Sequence, residues 1–200
     1  ATSSGSLPGG GGFNAFSLSF DGTDDDALVT ASLVSKTISL WVKPDSTITA
    51  STGQTCVLGF ANTEAGVFVG GGTNQLTNEV VWVSDGFRFW GYQNASATLS
   101  SSSWHHIVAS FHTTNSSTNP GNKGYDLYLN ATKVGNGFGN FGVFGNGSHI
   151  TSTFVAQGRS GGSAGAKAFY NGLLDEVAIW NASLSDADIT SIYNSGVPND

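Results

Sequence analysis

The chain has 200 residues, 10% of them charged, and a formal net charge of −7. That length fits a single β-sandwich or barrel, which buries about 70% of its unfolded surface without staples. The acid excess excludes the basic face that nucleic-acid recognition needs, and no apolar run approaches the roughly 18 residues of a membrane span.

Residues 1–12, ATSSGSLPGGGG, read as a flexible linker, and residues 13–200 as one domain. No signal peptide is visible at Ala1. The chain contains no methionine, so it is expected to be a processed chain or a piece of a longer one. FNAFSLSF alternates, with Phe16, Leu18 and Phe20 on one face, and runs into the acidic turn DGTDDD. TISLWVKP is a strand, in which Ile38, Leu40 and Val42 alternate with Ser39, Trp41 and Lys43 before Pro44 stops it. CVLGF, GVFVG and EVVWV follow at strand-like spacing. Cys56 is the only cysteine, so no internal disulfide forms, and in an apolar run it reads as a small buried hydrophobe.

VVWVSDGFRFWGY predicts a hairpin turning at Asp85-Gly86, with Val81, Val83, Arg88, Trp90 and Tyr92 on one face. WHHIVASFH is a further strand, and YDLYLNATKVG a second hairpin turning near Asn130-Ala131. GNGFGNFGVFGNG has no clear period; its Phe138, Phe141 and Phe144 are expected to pack over the core or against a neighbouring chain.

The final strand is GLLDEVAIW. Strict alternation groups Leu173, Asp175, Val177 and Ile179 on one face, and Leu174, Glu176, Ala178 and Trp180 on the other. Val177 and Ile179 belong in a core. Asp175 is therefore expected to be a core-facing carboxylate in need of hydrogen bonds or a cation. A short helix is predicted to start at Asp186, with Ser185 as N-cap, Asp188 as capping-box partner and Leu184 with Ile189 as a hydrophobic staple. Gly196 is the expected stop.

SLSFDGTDD, TISLWVKPDS, SDGFRF, WHHIVASF, YDLYLNATKV and NGLLDEVAIWNASLSDADI occur in an order and spacing that resembles the laminin-G-like jelly-roll domains of the concanavalin A-like lectin/glucanase superfamily. The resemblance spans residues 16 to 196. The ending IYNSGVPND is similar to tails of such modules in large phage and marine bacterial surface proteins. The resemblance implies an all-β fold: a two-sheet antiparallel jelly-roll sandwich with one short C-terminal helix. It also implies a structural calcium ion between the N-terminal turn and the last strand. Asp175 in LDEV and Asp21 in FDG match the family pattern, which makes Asp21, Asp24, Asp25 and Asp175 the expected metal ligands. Asp26 stands where the pattern commonly has an aromatic, so the choice among Asp24, Asp25 and Asp26 stays open.

Arg88, Trp90 and Tyr92 are the candidate ligand-binding residues, because sugars stack their C–H faces on aromatic rings and a guanidinium fork fixes hydroxyls or carboxylates. His105 and His106 are adjacent on a strand and point to opposite faces, so they do not chelate one ion together. A retaining glycosidase needs two carboxyls about 5 to 5.5 Å apart; the adjacent Asp175 and Glu176 do not supply that pair, and no enzyme activity is expected. The expected function is a non-catalytic, lectin-like adhesion module that binds a glycan or surface polysaccharide, extracellular or on a virion. The alternative is a structural or decoration domain that contacts neighbouring copies or other virion or surface proteins.

Overall fold

The computed structural model of the chain describes residues 2–5, 16–29, 33–34, 37–49, 55–60, 66–70, 81–84, 89–91, 98–112, 123–139, 149–150, 153–155, 157–159 and 167–196. In chain order the strands are β1 (Thr2–Gly5), β2 (Phe16–Asp21), β3 (Ala27–Val29), β4 (Leu33–Val34), β5 (Thr37–Pro44), β6 (Thr55–Phe60), β7 (Gly66–Val69), β8 (Val81–Ser84), β9 (Phe89–Gly91), β10 (His105–His112), β11 (Lys123–Leu129), β12 (Thr132–Gly139), β13 (His149–Ile150), β14 (Thr153–Val155), β15 (Gln157–Arg159), β16 (Lys167–Phe169) and β17 (Asn171–Trp180). One helix follows, α1 (Asp186–Tyr193).

Two antiparallel sheets make the all-β jelly-roll sandwich. The first runs β1-β2-β17-β5-β10-β11-β12 and the second β3-β14-β6-β7-β8-β9; β4 with β13 and β15 with β16 form separate pairs. Thr2–Gly5 corrects the reading of residues 1–12 as linker, because it pairs as an edge strand with Phe16–Ser19. Ladder pairing needs only backbone donors and acceptors, which small polar residues supply as well as any.

Alternation along β5 builds the core. Ile38, Leu40 and Val42 are fully buried against Val57, Leu58, Val67 and Val69 of the second sheet. Their alternates Thr37, Ser39 and Trp41 are buried as well, because α1 lies across the outer face of the first sheet. Ile189 packs on Val108 and Tyr128, with Leu184 and Ile192 beside them. The Tyr193 ring stacks on Trp41 at 5.7 Å. Polar bonds fix the approach: Thr37 Oγ1 donates to the carbonyl of Ala182 at 2.8 Å, Ser110 Oγ to that of Leu184 at 3.1 Å, and the Tyr128 hydroxyl to Asp186.

The predicted capping box is present, with Ser185 Oγ accepting from the Asp188 N–H and Asp188 Oδ2 from the Ser185 N–H. The helix stops earlier than Gly196. Asn194 takes the left-handed cap (φ 44°), and its N–H bonds the carbonyl of Thr190; asparagine tolerates that conformation better than other residues with a Cβ. At the tip between β11 and β12, Asn130 and Ala131 both have positive φ (51° and 59°), the geometry of a primed hairpin turn. In the β8–β9 hairpin, Ser84 stands opposite Phe89 and Val83 opposite Trp90, a register two residues away from that of a turn at Asp85-Gly86.

Candidate functional site

The local structure of β17 decides where its acidic residues go. Asp175 pairs with Trp41 and Ala178 pairs with Ser39. Two residues of β17, Glu176 and Val177, therefore stand opposite Leu40 alone. This is a β-bulge, and Glu176 adopts the left-handed conformation within it (φ 49°). The bulge reverses the alternation. Leu174 is in the core ahead of it, and Val177 and Ile179 pack on the core after it. Asp175 shares the outer face with Trp41, which corrects the expectation of a core-facing carboxylate. It is 9% exposed. Its Oδ1 accepts from the Glu176 N–H at 2.8 Å, Oδ2 has no protein partner, and burial raises its pKa above the ordinary value.

Next to this bulge the outer face holds a cavity of about 160 Å³. It is lined by Ser39 and Trp41 of β5, His106 of β10, Glu176, Ala178 and Trp180 of β17, and Ile192 of α1. His106 is 1% exposed. Its ring stacks on Trp41 at 4.8 Å and on Tyr193 at 5.9 Å. Nε2 and the Ser39 hydroxyl share a 2.8 Å hydrogen bond, while Nδ1 has no protein partner. Burial lowers the pKa of this ring to about 4, so it is neutral at physiological pH. Trp180 is 39% exposed.

The two adjacent histidines do face opposite ways. His105 stands opposite Val42 on the core side and His106 opposite Trp41 on the outer side. His105 Nε2 donates to the carbonyl of Ser100 at 3.1 Å.

The expected calcium ligands are not brought together. Asp21 pairs with Asn171, four residues before Asp175 on β17, or roughly 13 Å along the strand at 3.3 Å per residue. Within the turn, Asp21 Oδ1 accepts from the Thr23 N–H at 2.8 Å, and Gly22 (φ 75°) lies so close to Asn171 that a Cβ would meet its side chain at 2.7 Å. Asp24 is exposed and Asp25 half-buried. No group of three metal-ligating side chains occurs among the described residues. Asp21, Asp24, Asp25 and Asp175 therefore do not fit one calcium ion, which takes six to eight converging oxygens.

Arg88, Tyr92, Phe141 and Phe144 lie outside the described residues, and of Trp90 and Phe138 the backbone alone is described. Position 90 stands opposite Val83, which stands opposite Val67, and Val67 belongs to the core. The residues that do converge, Ser39, Trp41, His106, Glu176 and Trp180, were absent from the sequence-based candidates. One signal for them existed: Ile189, Ile192 and Tyr193 recur at helical spacing, an apolar face that has to cover part of a sheet.

The fold and sequence together define a class. Residues 21–190 match the laminin-G-type family described as the concanavalin A-like lectin/glucanases superfamily, and the chain belongs to it. No curated protein matches the chain. Among solved structures, the chain is similar to domain 4 of an extracellular arabinanase from Geobacillus stearothermophilus, in complex with arabinotriose. Identity is 16%, coverage 91% of this chain and 78% of that one, and the TM-score 0.58. A structure bearing on the dependence of botulinum neurotoxin type C cell entry on two ganglioside molecules matches at 11% identity and TM-score 0.58, over 90% of this chain and 42% of that one. The binding domain of botulinum neurotoxin DC, in complex with rat synaptotagmin II, matches at 12% identity and TM-score 0.55, again over 90% and 42%. The chain thus spans less than half the length of the toxin domains. At these identities the likeness is one of fold. No helix among the described residues is long and apolar enough to cross a membrane.

Proposed function

We propose that the chain is a non-catalytic glycan-binding module and that it binds through the outer-face pocket beside β17. The observation that carries this reading is the convergence of an exposed indole, Trp180, a carboxylate, Glu176, and the Ser39 and Trp41 side chains of the sheet around one cavity. An indole offers a stacking surface to the C–H face of a sugar, and a carboxylate accepts hydrogen bonds from its hydroxyls. The arabinotriose complex of the arabinanase domain and the ganglioside dependence of neurotoxin C cell entry support the general class. Within this reading the module serves on the outside of a cell or virion, holding it to a polysaccharide.

Glycan-array binding followed by Trp180→Ala is the test. Loss of an aromatic anchor costs about 2 kcal/mol or more, roughly thirtyfold in affinity. Because Trp180 is exposed, the melting temperature should stay nearly constant. A wild type that binds no glycan would reject the reading.

A protein-docking role is the second reading. It is favoured by Leu28 and Val29, which are exposed on β3, the edge strand of the second sheet. Binding of protein but no glycan by the wild-type chain would favour it.

A further inference from the structure

We propose that α1 is an acid-released latch: on mild acidification the helix leaves the outer face of the seven-stranded sheet, while the sandwich beneath it and the segment leading into it stay in place.

The bonds that fasten this region change character at Ser185. Ahead of it they join groups that do not titrate. Thr37 Oγ1 donates to the carbonyl of Ala182 at 2.8 Å and accepts from the Leu184 N–H at 3.1 Å, and Ser110 Oγ donates to the carbonyl of Leu184 at 3.1 Å. From Ser185 onwards acid-sensitive groups take over. Asp188 Oδ2 accepts from the Ser185 N–H at 2.9 Å, and Asp186 accepts from the Tyr128 hydroxyl. The Tyr193 ring lies 5.9 Å from that of His106, and both stack on Trp41. Apolar contact comes from Ile189, with Leu184 and Ile192 beside it. The sandwich core, with Ile38, Leu40, Val42, Ile107 and Ala109, lies on the other face of the same strands and holds no charge.

Protonation loosens the second set. His106 is 1% exposed, so a charged ring under the seated helix has lost its water. Burial holds its pKa down to about 4, against 6.5 for a solvated ring. Release returns the ring to water. The ratio of released to seated helix therefore rises about twentyfold between pH 7 and 5, and about a hundredfold by pH 4. Asp188 acts in the same direction. The Ser185 bonds hold its carboxyl below the ordinary value, so the cap weakens as it takes up a proton.

The other groups around His106 come from three places. Ser39 and Trp41 belong to β5, with Lys43 two residues further along the same face. At the β11–β12 tip, Asn130 Oδ1 accepts from the His106 N–H at 2.9 Å. From β17, Glu176 lines the shared cavity and Asp175 stands beyond Trp41. Burial raises the pKa of Asp175, so a proton taken up there favours the seated state and opposes release. Because Ile192 lines the cavity, release also takes one of its lining residues away. The test uses no sugar, so the latch and the glycan-binding reading stand or fall separately.

Hydrogen exchange of the full 200-residue chain is measured at pH 7, 5 and 4 and corrected for the intrinsic pH dependence of the exchange rate. Protection of an amide reports the opening of its own segment. Protection from Ile189 to Asn194 should fall about twentyfold at pH 5 and about a hundredfold at pH 4, and that of Leu40 and Val108 by less than threefold. Ser39→Ala combined with His106→Phe removes both ends of one hydrogen bond and keeps a ring in the stack. It should cut the α1 response at pH 5 to under threefold. If this double variant does not fold, Tyr193→Ala replaces it, and the NMR midpoint of the His106 ring should then rise from near 4 towards 6.5. Constant α1 protection down to pH 4, or equal losses in α1 and in Leu40 and Val108, would overturn the proposal. So would a double variant that keeps the full response, or a His106 midpoint unmoved by Tyr193→Ala.

Discussion

Asp175 stands directly opposite Trp41 across the β17–β5 pair, on the outer face of the seven-stranded sheet, and the left-handed backbone of Glu176 puts it there. One inserted residue thus carries a carboxylate from the predicted core side to the rim of the candidate site. The register with β2 separately places Asp175 four residues along β17 from Asn171, the partner of Asp21.

Asp175→Asn tests this placement. Burial raises the carboxyl's pKa, so the native state holds the proton more tightly than the unfolded chain does. Its contribution to stability is then fully present below the ordinary value of 3.8 and is lost as pH rises through the raised value. The variant should be more stable than wild type at pH 7, and the gap should close towards pH 4, as read by urea melts. The difference in melting temperature between calcium and chelator should be the same for both proteins.

Glu176 itself should respond to backbone preference. A residue with a Cβ in the left-handed region costs about 1 to 2 kcal/mol, which glycine does not incur. Glu176→Gly should leave the melting temperature unchanged or raise it. Glu176→Val, whose branched Cβ suits that region worst, should lower stability by about 2 kcal/mol. Equal melts for the two variants would mean that the bulge is absent in solution.

His106 sets an acid limit. Its ordinary pKa of 6.5 falls to about 4 through burial. The unfolded chain therefore binds the proton more readily, and stability is lost as pH falls from 6.5 towards 4. At 1.36 kcal/mol per pKa unit this amounts to roughly 3 kcal/mol. His105, whose pKa burial also lowers, acts in the same direction. An NMR titration of the His106 ring should give a midpoint near 4, and one near 6.5 would mean that the ring is solvated.

Docking of α1 rests on Ile189, which is fully buried. Ile189→Ala should cost about 2 to 5 kcal/mol, and Ser185→Ala about 1 kcal/mol through loss of the cap. Both should be visible in denaturant melts. If Ile189→Ala costs less than the cap variant, the helix does not bury that face on the sheet.

Much of the architecture was legible in the residues alone. The 2-residue period of TISLWVKP placed Ile38, Leu40 and Val42 in the core. The Ser185–Asp188 spacing set the start of α1 to the residue, and Asn130-Ala131 marked a hairpin tip. These are local rules, in which neighbours along the chain dictate the geometry. The positions of Asp175 and Trp41 obeyed no local rule. Alternation holds until a bulge breaks it, and nothing in LLDEVAI announces that Glu176 will be the extra residue; the mismatch between β17 and β5 arises only when the two strands pair. Trp41 read as an ordinary alternate position, since its burial depends on a helix that begins 145 residues later. The acidic turn and Asp175 looked like one site because both match a family pattern, yet register separates them by four residues along β17. Register, bulge and helix docking are agreements between distant segments, so only the tertiary structure could decide which side chains meet.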